Sequence, residues 1–310
     1  FLARLFPYPP LDSSSEISLE SKTLRFSLHY RRQPVAVATK FRFYRKSPLR
    51  VELNRMKTFT RQDQALIIWG KRRWLVDLSR GRFGTHQGEL DLTKVIGQPE
   101  GFSLPLGRDR AFFFRPILAE KLTRLRRKTQ LIYPKDLAAM MMASGLGKED
   151  RIIEAGTGSG ALLIALLTVV TKGRIVTLDQ SQELQLLARE NVRRCFGQVP
   201  GRVRFIQADV YQETSLRLKP NWADRIFLDL PEPWQALHLL KYLRPGGFLT
   251  VFNPQIFQLQ KVAVALKNHF IDLSVSEVLK RDWLVDEQRL RPADVMRAHT
   301  GFFLTARKVS

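Results

Sequence analysis

The stretch Arg151-Ile-Ile-Glu-Ala-Gly156-Thr-Gly-Ser-Gly160-Ala161 decides the fold of this 310-residue chain. Residues 151–155 have the apolar composition of a short buried strand, and three alternating glycines separate it from an apolar run over 161–171. Glycine permits tight turns and lets the backbone approach a ligand closely. The stretch therefore predicts a small-molecule site between a strand and a helix.

Two classes of ligand use a glycine loop in this position. A dinucleotide places its pyrophosphate over the glycines, whereas S-adenosylmethionine carries an ammonium and a sulfonium group. The carboxylate of Glu154, which precedes the glycines, repels a pyrophosphate and suits cationic groups. The loop therefore favours S-adenosylmethionine over NAD.

The composition is strongly basic. Lys and Arg number 51 against 29 Asp and Glu, which gives a net charge of +22 and an attraction toward polyanions. Nucleic acid is the leading partner, and a solvated basic surface without a specific partner is the alternative.

Cysteine and histidine usage excludes other classes of protein. A single cysteine, Cys195, allows no internal disulfide or cysteine-rich zinc site, and we expect it to pack on a helix in a reducing compartment. The five histidines have no metal-ligand spacing, so no metal is expected. No run of about 18 apolar residues is present, and we expect a cytoplasmic protein without a membrane segment.

The patterns divide the chain into four parts. Residues 1–55 are basic and contain no methionine, so we interpret them as a basic arm, translated upstream sequence or a presequence, with Met56 as the natural start. Short strands and glycine turns over 56–116 predict a small antiparallel β domain, closed by residues 111–116. Residues 117–150 predict a helical junction, with helices over 117–130 and 137–143.

Strands and helices alternate over 151–310, which predicts a doubly wound, Rossmann-like α/β sheet. The expected elements include a helix over 234–243. The end of the chain departs from this alternation, because residues 273–285 and 301–308 resemble strands with no helix between them. We therefore predict an antiparallel C-terminal strand pair.

Successive strands of the predicted sheet end in acids. Ligands of open α/β sheets bind beyond these carboxyl ends. Asp179 lies 19 residues after Gly160, a spacing that suits a carboxylate on ribose hydroxyls. Asp209 can accept a hydrogen bond from an adenine amino group, beside the backbone of Val210. The alternative for either aspartate is a loop or helix cap.

Asp229-Leu-Pro-Glu-Pro-Trp234 is the predicted centre of the chemistry. The two prolines stiffen the loop, so the carboxylate of Asp229 is presented in a defined direction. Trp234 suits either stacking on a base or packing on the core. His299 precedes the last strand and falls near the same sheet edge, although a lone histidine often only caps or packs.

Five blocks, in order, resemble the tRNA (adenine-58-N1)-methyltransferases across about residues 60–308. They are Gly81-Arg-Phe-Gly-Thr-His-Gln-Gly, Gln130-Leu-Ile-Tyr-Pro-Lys-Asp, Glu154-Ala-Gly-Thr-Gly-Ser-Gly-Ala, Asp229-Leu-Pro-Glu-Pro-Trp and Met296-Arg-Ala-His-Thr-Gly-Phe. The resemblance implies a small N-terminal β domain, a class I S-adenosylmethionine domain and a homotetramer that binds tRNA.

The resemblance also implies roles for single residues. Asp229, Tyr133 and His299 would line the pocket of the target adenine. The cofactor would be held by Ile132, Glu154, Gly156, Gly158, Ser159, Gly160, Ala161, Asp179, Leu184, Asp209, Val210 and Asp229. Two positions depart from the family: Asp179 replaces the more common Glu, and Phe257 stands where an acid is usual.

Three rival functions remain open. An NAD-dependent oxidoreductase is opposed by Glu154, by Asp209 and by the antiparallel ending. A non-catalytic RNA-binding subunit is opposed by the intact glycine loop and Asp229. Methylation of another acceptor, such as an isoaspartyl residue, would not call for the net charge of +22.

Overall fold

The computed structural model describes residues 57–213, 216–285 and 288–310. The basic extension over residues 1–55 and the start at Met56 lie outside the described residues.

The first described elements form an antiparallel β region. Its six strands are β1 (Gln64–Trp69), β2 (Arg72–Asp77), β3 (Arg82–Thr85), β4 (Gly88–Asp91), β5 (Ser103–Leu106) and β6 (Asp109–Phe114). The order β2-β1-β6-β5 makes one sheet, and β3 pairs with β4 in a separate hairpin. Short 3-10 helices at Leu78–Arg80 and Leu92–Val95 flank this hairpin. The side chains of Phe59, Ile67 and Phe113 are fully buried in the core of this β region.

Two helices follow, α1 (Leu118–Thr123) and α2 (Pro134–Ala143). The predicted helix over 117–130 is therefore wrong beyond Thr123. Arg124 stands three and four residues before Arg127 and Lys128, and like charges at these spacings disfavour a helix. Pro134 occupies the first turn of α2, where its missing N–H costs no hydrogen bond.

The remaining strands are β7 (Arg151–Ala155), β8 (Arg174–Asp179), β9 (Val203–Gln207), β10 (Ala223–Asp229), β11 (Leu243–Asn253), β12 (Phe270–Glu277), β13 (Trp283–Val285), β14 (Leu290–Pro292) and β15 (Phe302–Lys308). Seven of them form a sheet in the order β12-β15-β11-β10-β7-β8-β9. β7 to β11 are mutually parallel, and β15 is antiparallel to both of its neighbours. The predicted α/β fold class, with its antiparallel ending and preceding β region, is confirmed.

Three helices cover this sheet: α3 (Ala161–Val169), α4 (Gln182–Phe196) and α5 (Ile256–Leu266). α3 is apolar on all sides and almost fully buried. The Ser181 hydroxyl caps α4 by accepting from the Leu184 N–H at 3.2 Å. Cys195 lies near the end of α4, half-buried against the core around α3.

Two predicted elements differ from the structure. Residues 273–285 do not form one strand: β12 ends at Glu277, where the next carbonyl, of Val278, accepts from Lys135 Nζ at 2.6 Å, and β13 pairs with β14 instead. Residues Pro233–Tyr242 form a 3-10 helix instead of the predicted α-helix. No described helix is long and apolar enough to cross a membrane.

Candidate functional site

A cavity of about 710 Å³ lies at the carboxyl ends of the parallel strands. Loops after β7, β8, β9, β10 and β11 line it, together with residues 129–132, which precede α2. Of the predicted site residues, those that line it are Ile132, Gly156, Gly158, Asp179, Leu184, Asp209, Val210 and Asp229. The fold therefore brings the ends of five parallel strands to one cavity.

The glycine loop is packed too tightly for side chains. Gly156 has φ +93, and a Cβ there would lie 2.0 Å from the Asp229 carbonyl oxygen. Gly160 has φ +83, and a Cβ there would lie 3.1 Å from Ala188 Cβ on α4. Both positions combine a left-handed backbone with a close neighbour, so only glycine fits without rearrangement. The loop thereby joins the ends of β7 and β10.

Glu154 is fully buried at the end of β7. Burial, followed by the charges of Asp229 and Asp179, raises its pKa to about 8. No donor of the described residues meets hydrogen-bonding geometry with either carboxylate oxygen, although the nearby Thr177 hydroxyl and Leu163 N–H offset part of the rise in pKa. A buried carboxyl group without partners is costly, and it favours a cation beside it.

Asp179 and Asp209 lie on one wall of the cavity. Asp179 accepts from the backbone N–H groups of Gly158 and Ser181, both at 2.9 Å, so it holds the glycine loop against the start of α4. Asp209 accepts from the Tyr211 N–H at 3.0 Å, a local turn of the kind expected if this aspartate caps its own loop. Asp209 also lines the cavity.

Asp229 ends β10 beside the glycine loop. Burial, followed by the charge of Asp179, raises its pKa to about 7. The loop that follows is held from two sides. Asn253 Nδ2 donates to the carbonyls of Leu230 and Pro231 at 2.9 and 3.3 Å, and the Tyr211 hydroxyl accepts from the Glu232 N–H at 3.1 Å. The backbone that follows Asp229 is therefore held by side chains of the chain itself.

Other predicted site residues lie behind the cavity wall. Ser159 and Thr129 hydroxyls are 3.0 Å apart, Ala161 begins α3, and Gly160 packs on α4. The Tyr133 ring lies under the Arg297 guanidinium, with 4.3 Å from Cζ to the ring centre.

His299 lies next to the cavity, because its Nε2 is 3.2 Å from the carbonyl of Pro254, which lines it. Its Nδ1 is 2.8 Å from Glu277, and this hydrogen bond raises the pKa of the imidazole. Trp234 packs on the core around β10 with Lys261 Nζ 3.9 Å from its ring centre, so the packing alternative holds for this side chain.

Sequence reasoning missed a buried polar cluster behind Tyr133 and His299. Lys135 Nζ donates to Asp136 at 2.8 Å and to the Thr300 hydroxyl at 2.5 Å, and Thr300 donates to Asp136 at 2.7 Å. The cluster ties the start of α2 to the segment before β15. Its members were visible in the second and fifth blocks of the resemblance, beside Tyr133 and His299.

The matching family model and the named relatives indicate one family. The family model described as tRNA methyltransferase complex GCD14 subunit matches residues 120–307. A Thermus thermophilus protein named tRNA (adenine(58)-N(1))-methyltransferase TrmI is 33% identical over 196 residues, 63% of this chain and 75% of the relative. A Methanocaldococcus jannaschii protein named tRNA (adenine(57)-N(1)/adenine(58)-N(1))-methyltransferase TrmI is 27% identical over 260 residues, 76% of this chain and 91% of the relative.

Among solved structures, the tRNA (m1A58) methyltransferase TrmI from Aquifex aeolicus superposes with a TM-score of 0.73 at 30% identity. The superposition covers 82% of this chain and 100% of that one.

Proposed function

Because this chain belongs to the tRNA (adenine-58-N1)-methyltransferase family, we propose that it transfers a methyl group from S-adenosylmethionine to N1 of adenine 58 in the T-loop of tRNA. The observation that carries this proposal is the pair of carboxyl groups on Asp179 and Asp229 that line the cavity, with the buried carboxyl of Glu154 close enough for their charges to raise its pKa. The pKa values of Glu154 and Asp229 are raised, and a cluster of carboxyl groups suits a cationic ligand better than a pyrophosphate.

The residues of the site fit S-adenosylmethionine. The tight turn at Gly156 leaves a side-chain-free place for a methionine moiety, and the ammonium group of that moiety would lower the pKa of the nearby buried carboxyl of Glu154 and so favour its ionised form. Asp179 would hold the ribose, Asp209 and the Val210 backbone the adenine ring. Ile132 and Leu184 would flank the cofactor, as both line the cavity. When bound, S-adenosylmethionine supplies an electrophilic methyl group on its sulfonium.

The chain's own contribution to the reaction is alignment and charge stabilisation. Adenine N1 is already nucleophilic, so holding it in line with the methyl group is the main requirement. N1 lies on the pairing edge of the base, which must first leave its stacked position at a cost of a few kcal/mol. Tyr133 and His299 would line the place that receives the base.

Asp229 would accept a hydrogen bond from the N6 amino group of that adenine. The base becomes cationic as N1 gains the methyl group, so an ionised Asp229 stabilises the transition state more than the ground state. Its pKa of about 7 in the free chain falls when cationic groups occupy the site, which keeps the carboxylate ionised at neutral pH.

A methylation assay tests the proposed function. The chain is incubated with labelled S-adenosylmethionine and an unmodified tRNA transcript, and the product is digested and mapped. We expect 1-methyladenosine at position 58, and no label in a matched transcript with uridine at that position. Label in another nucleoside, or in protein but not tRNA, would contradict the proposal.

We also propose that copies of this chain associate into a homotetramer. β12 is the outer strand of the sheet, and outer strands offer unpaired backbone groups to another chain. Apolar side chains on β12 and on the β13–β14 hairpin are exposed: Ile271, Val275, Val285 and Leu290. An exposed apolar patch of this kind marks an interaction surface.

Light scattering after gel filtration tests this assembly. We expect a mass of four times the 35.8 kDa chain, and a smaller mass for Val275→Lys. Val264→Lys, at an exposed apolar position on α5 outside the β12–β14 segment, is the matched control and should leave the mass unchanged. A monomeric wild-type chain would contradict the proposed assembly.

We place the protein in the cytoplasm because its single cysteine suits a reducing compartment, and microscopy of a tagged chain checks this.

A further inference from the structure

We infer that Arg126 and Arg127 form a phosphate-binding strip beside the cavity, which contacts the tRNA backbone next to the adenine that enters it. This inference rests on the proposed function and assigns part of the tRNA surface to named residues.

The two arginines are free to bind an anion. Four of the five residues over 124–128 are cationic, and all four of these side chains are on exposed residues. Lys128 is occupied by an ion pair with Glu183, and Arg124 donates to the Glu120 carbonyl at 3.4 Å. Arg126 and Arg127 make no ion pair with any residue in the described part of the chain. Two adjacent exposed arginines are therefore available to an anion.

The backbone of the strip is fixed to the glycine loop. The buried amide of Asn191 donates to the carbonyls of Arg126 and Ser159, at 2.7 and 2.9 Å. The Lys128 N–H donates to the Ser159 hydroxyl at 3.4 Å, and the Thr129 hydroxyl is 3.0 Å from the same atom. Although residues 124–130 form no helix, their position relative to the site is set by a buried hydrogen-bond network.

The strip lies next to the cavity. Thr129 and Gln130 line the cavity wall, and Arg127 stands two residues earlier. Its Cα is therefore at most about 7 Å from that of Thr129 along the chain. Guanidinium groups bind phosphate oxygens in pairs of parallel hydrogen bonds, and unlike lysine they match the geometry of the phosphate. A nucleotide whose base enters the cavity carries its phosphates to this distance.

The charge of the chain favours a nucleic acid over an acidic protein as the occupant. The net charge of +22 attracts any polyanion, but only a polymer that also delivers a base to the cavity needs cations at this place. Contacts of this kind position the substrate and carry no sequence information. The strip would therefore affect tRNA affinity and leave cofactor binding unchanged.

The test compares two double variants that each remove two positive charges. Arg126→Gln/Arg127→Gln removes the strip. Arg174→Gln/Lys267→Gln is the matched control: Arg174 begins β8 and Lys267 follows α5, both exposed at the opposite edge of the sheet. The measurements are the Kd for unmodified tRNA at several salt concentrations, KM for tRNA, the Kd for S-adenosylmethionine and the mass in solution.

We expect the strip variant to bind tRNA about tenfold or more weakly and to raise KM in step, with unchanged cofactor Kd. Its plot of log K against log salt should be shallower by about 1.5, the loss of two phosphate contacts. The control should match the wild-type slope within about 0.3. Arg126→Lys/Arg127→Lys should restore the slope, which separates charge from folding.

Two results would overturn the inference alone. One is a strip variant whose affinity and salt slope equal those of the control. Another is a change in solution mass without loss of tRNA affinity by the assembled protein, which would assign the strip to a contact between subunits. A wild-type chain that leaves adenine 58 unmethylated would instead overturn the proposed function and this inference with it.

Discussion

Replacing Glu154 by glutamine should stabilise the protein relative to the wild type, and this difference in free energy of unfolding should grow as the pH rises. The substitution keeps the size of the side chain and removes its charge. In the folded wild-type chain the pKa of Glu154 is raised to about 8 from an ordinary 4.5. Below pH 4.5 the group is protonated in both states. Between 4.5 and 8 the unfolded chain ionises while the folded chain stays protonated, so stability falls as the pH rises.

The structure sets the size of this effect. A pKa difference from 4.5 to about 8 corresponds to roughly 5 kcal/mol at about 1.4 kcal/mol per unit. This value is a ceiling, because relaxation of the site and entry of water reduce the cost of a buried charge. Glu154→Gln removes the pH-dependent loss. Its advantage in free energy of unfolding over the wild type should therefore grow by up to about 1.4 kcal/mol per pH unit between pH 5 and 8.

The assay is urea unfolding followed by tryptophan fluorescence at pH 5, 6, 7, 8 and 9, without ligand. Glu149→Gln serves as the matched control, because that side chain is 67% exposed and its only described ion pair, with Lys172, spans 3.8 Å. Its difference from the wild type should stay within about 0.5 kcal/mol at every pH.

Two further observations bear on the same reasoning. Saturating S-adenosylmethionine should reduce the difference in free energy of unfolding between Glu154→Gln and the wild type. A bound cation lowers the pKa of Glu154, and the variant binds the cofactor less tightly. A Glu154→Gln curve that runs parallel to the wild type across the whole pH range would refute the reasoning, because it would mean that Glu154 is not held protonated by its burial.

Three other predictions concern separate parts of the site. Gly156→Ala places a Cβ 2.0 Å from the Asp229 carbonyl oxygen, so it should abolish cofactor binding and lower the free energy of unfolding by about 3 kcal/mol or more. Gly201→Ala is the control, because a Cβ there meets no atom within 4 Å. It should change the free energy of unfolding by less than about 0.5 kcal/mol in the same urea titration. Asp229→Asn should slow methylation about 100-fold or more with little change in cofactor Kd. The fall of wild-type kcat/KM for S-adenosylmethionine below about pH 7, which reports the free chain, should vanish in this variant, and equal pH profiles would contradict the assignment. Lys135→Met leaves the Asp136 charge buried without its partner and should lower the free energy of unfolding in urea by about 3–5 kcal/mol. The double variant Lys135→Met/Asp136→Leu should recover much of this stability. A double variant no more stable than the single one would argue against the ion pair as the cause.

The sheet and the convergence of its acids could be predicted because they follow from local rules. An apolar strand, a glycine loop and an apolar helix fix β7 and α3, and parallel strands bring their carboxyl ends to the same edge. The positions of Asp179, Asp209 and Asp229 at one cavity need no further information than the strand order. Whether each side chain then touches the cofactor or the adenine stays a prediction.

The parts that could not be predicted depend on contacts distant in sequence. The helix from 118 stops at Thr123, and the carbonyl of Arg126 is taken by Asn191, 65 residues later. β12 ends at Glu277, and the next carbonyl accepts from Lys135, 143 residues earlier. The hydrogen-bond partner that ends each element lies outside its own segment. Local propensity alone therefore predicts both elements to be longer than they are. The buried carboxyl of Glu154 was visible in the sequence, but its missing hydrogen-bond partners were not.

The hydroxyl of Tyr211 gives the Asp229 loop a built-in reporter. Pro231 and Pro233 have no amide proton, so Glu232 carries the single exchangeable N–H between them, and it is the one held by Tyr211. Hydrogen exchange at that one amide therefore measures how often the loop opens. Slow exchange in the free chain would mean that the loop is in place before tRNA arrives, and Tyr211→Phe should make the same amide exchange faster without altering the strands on either side.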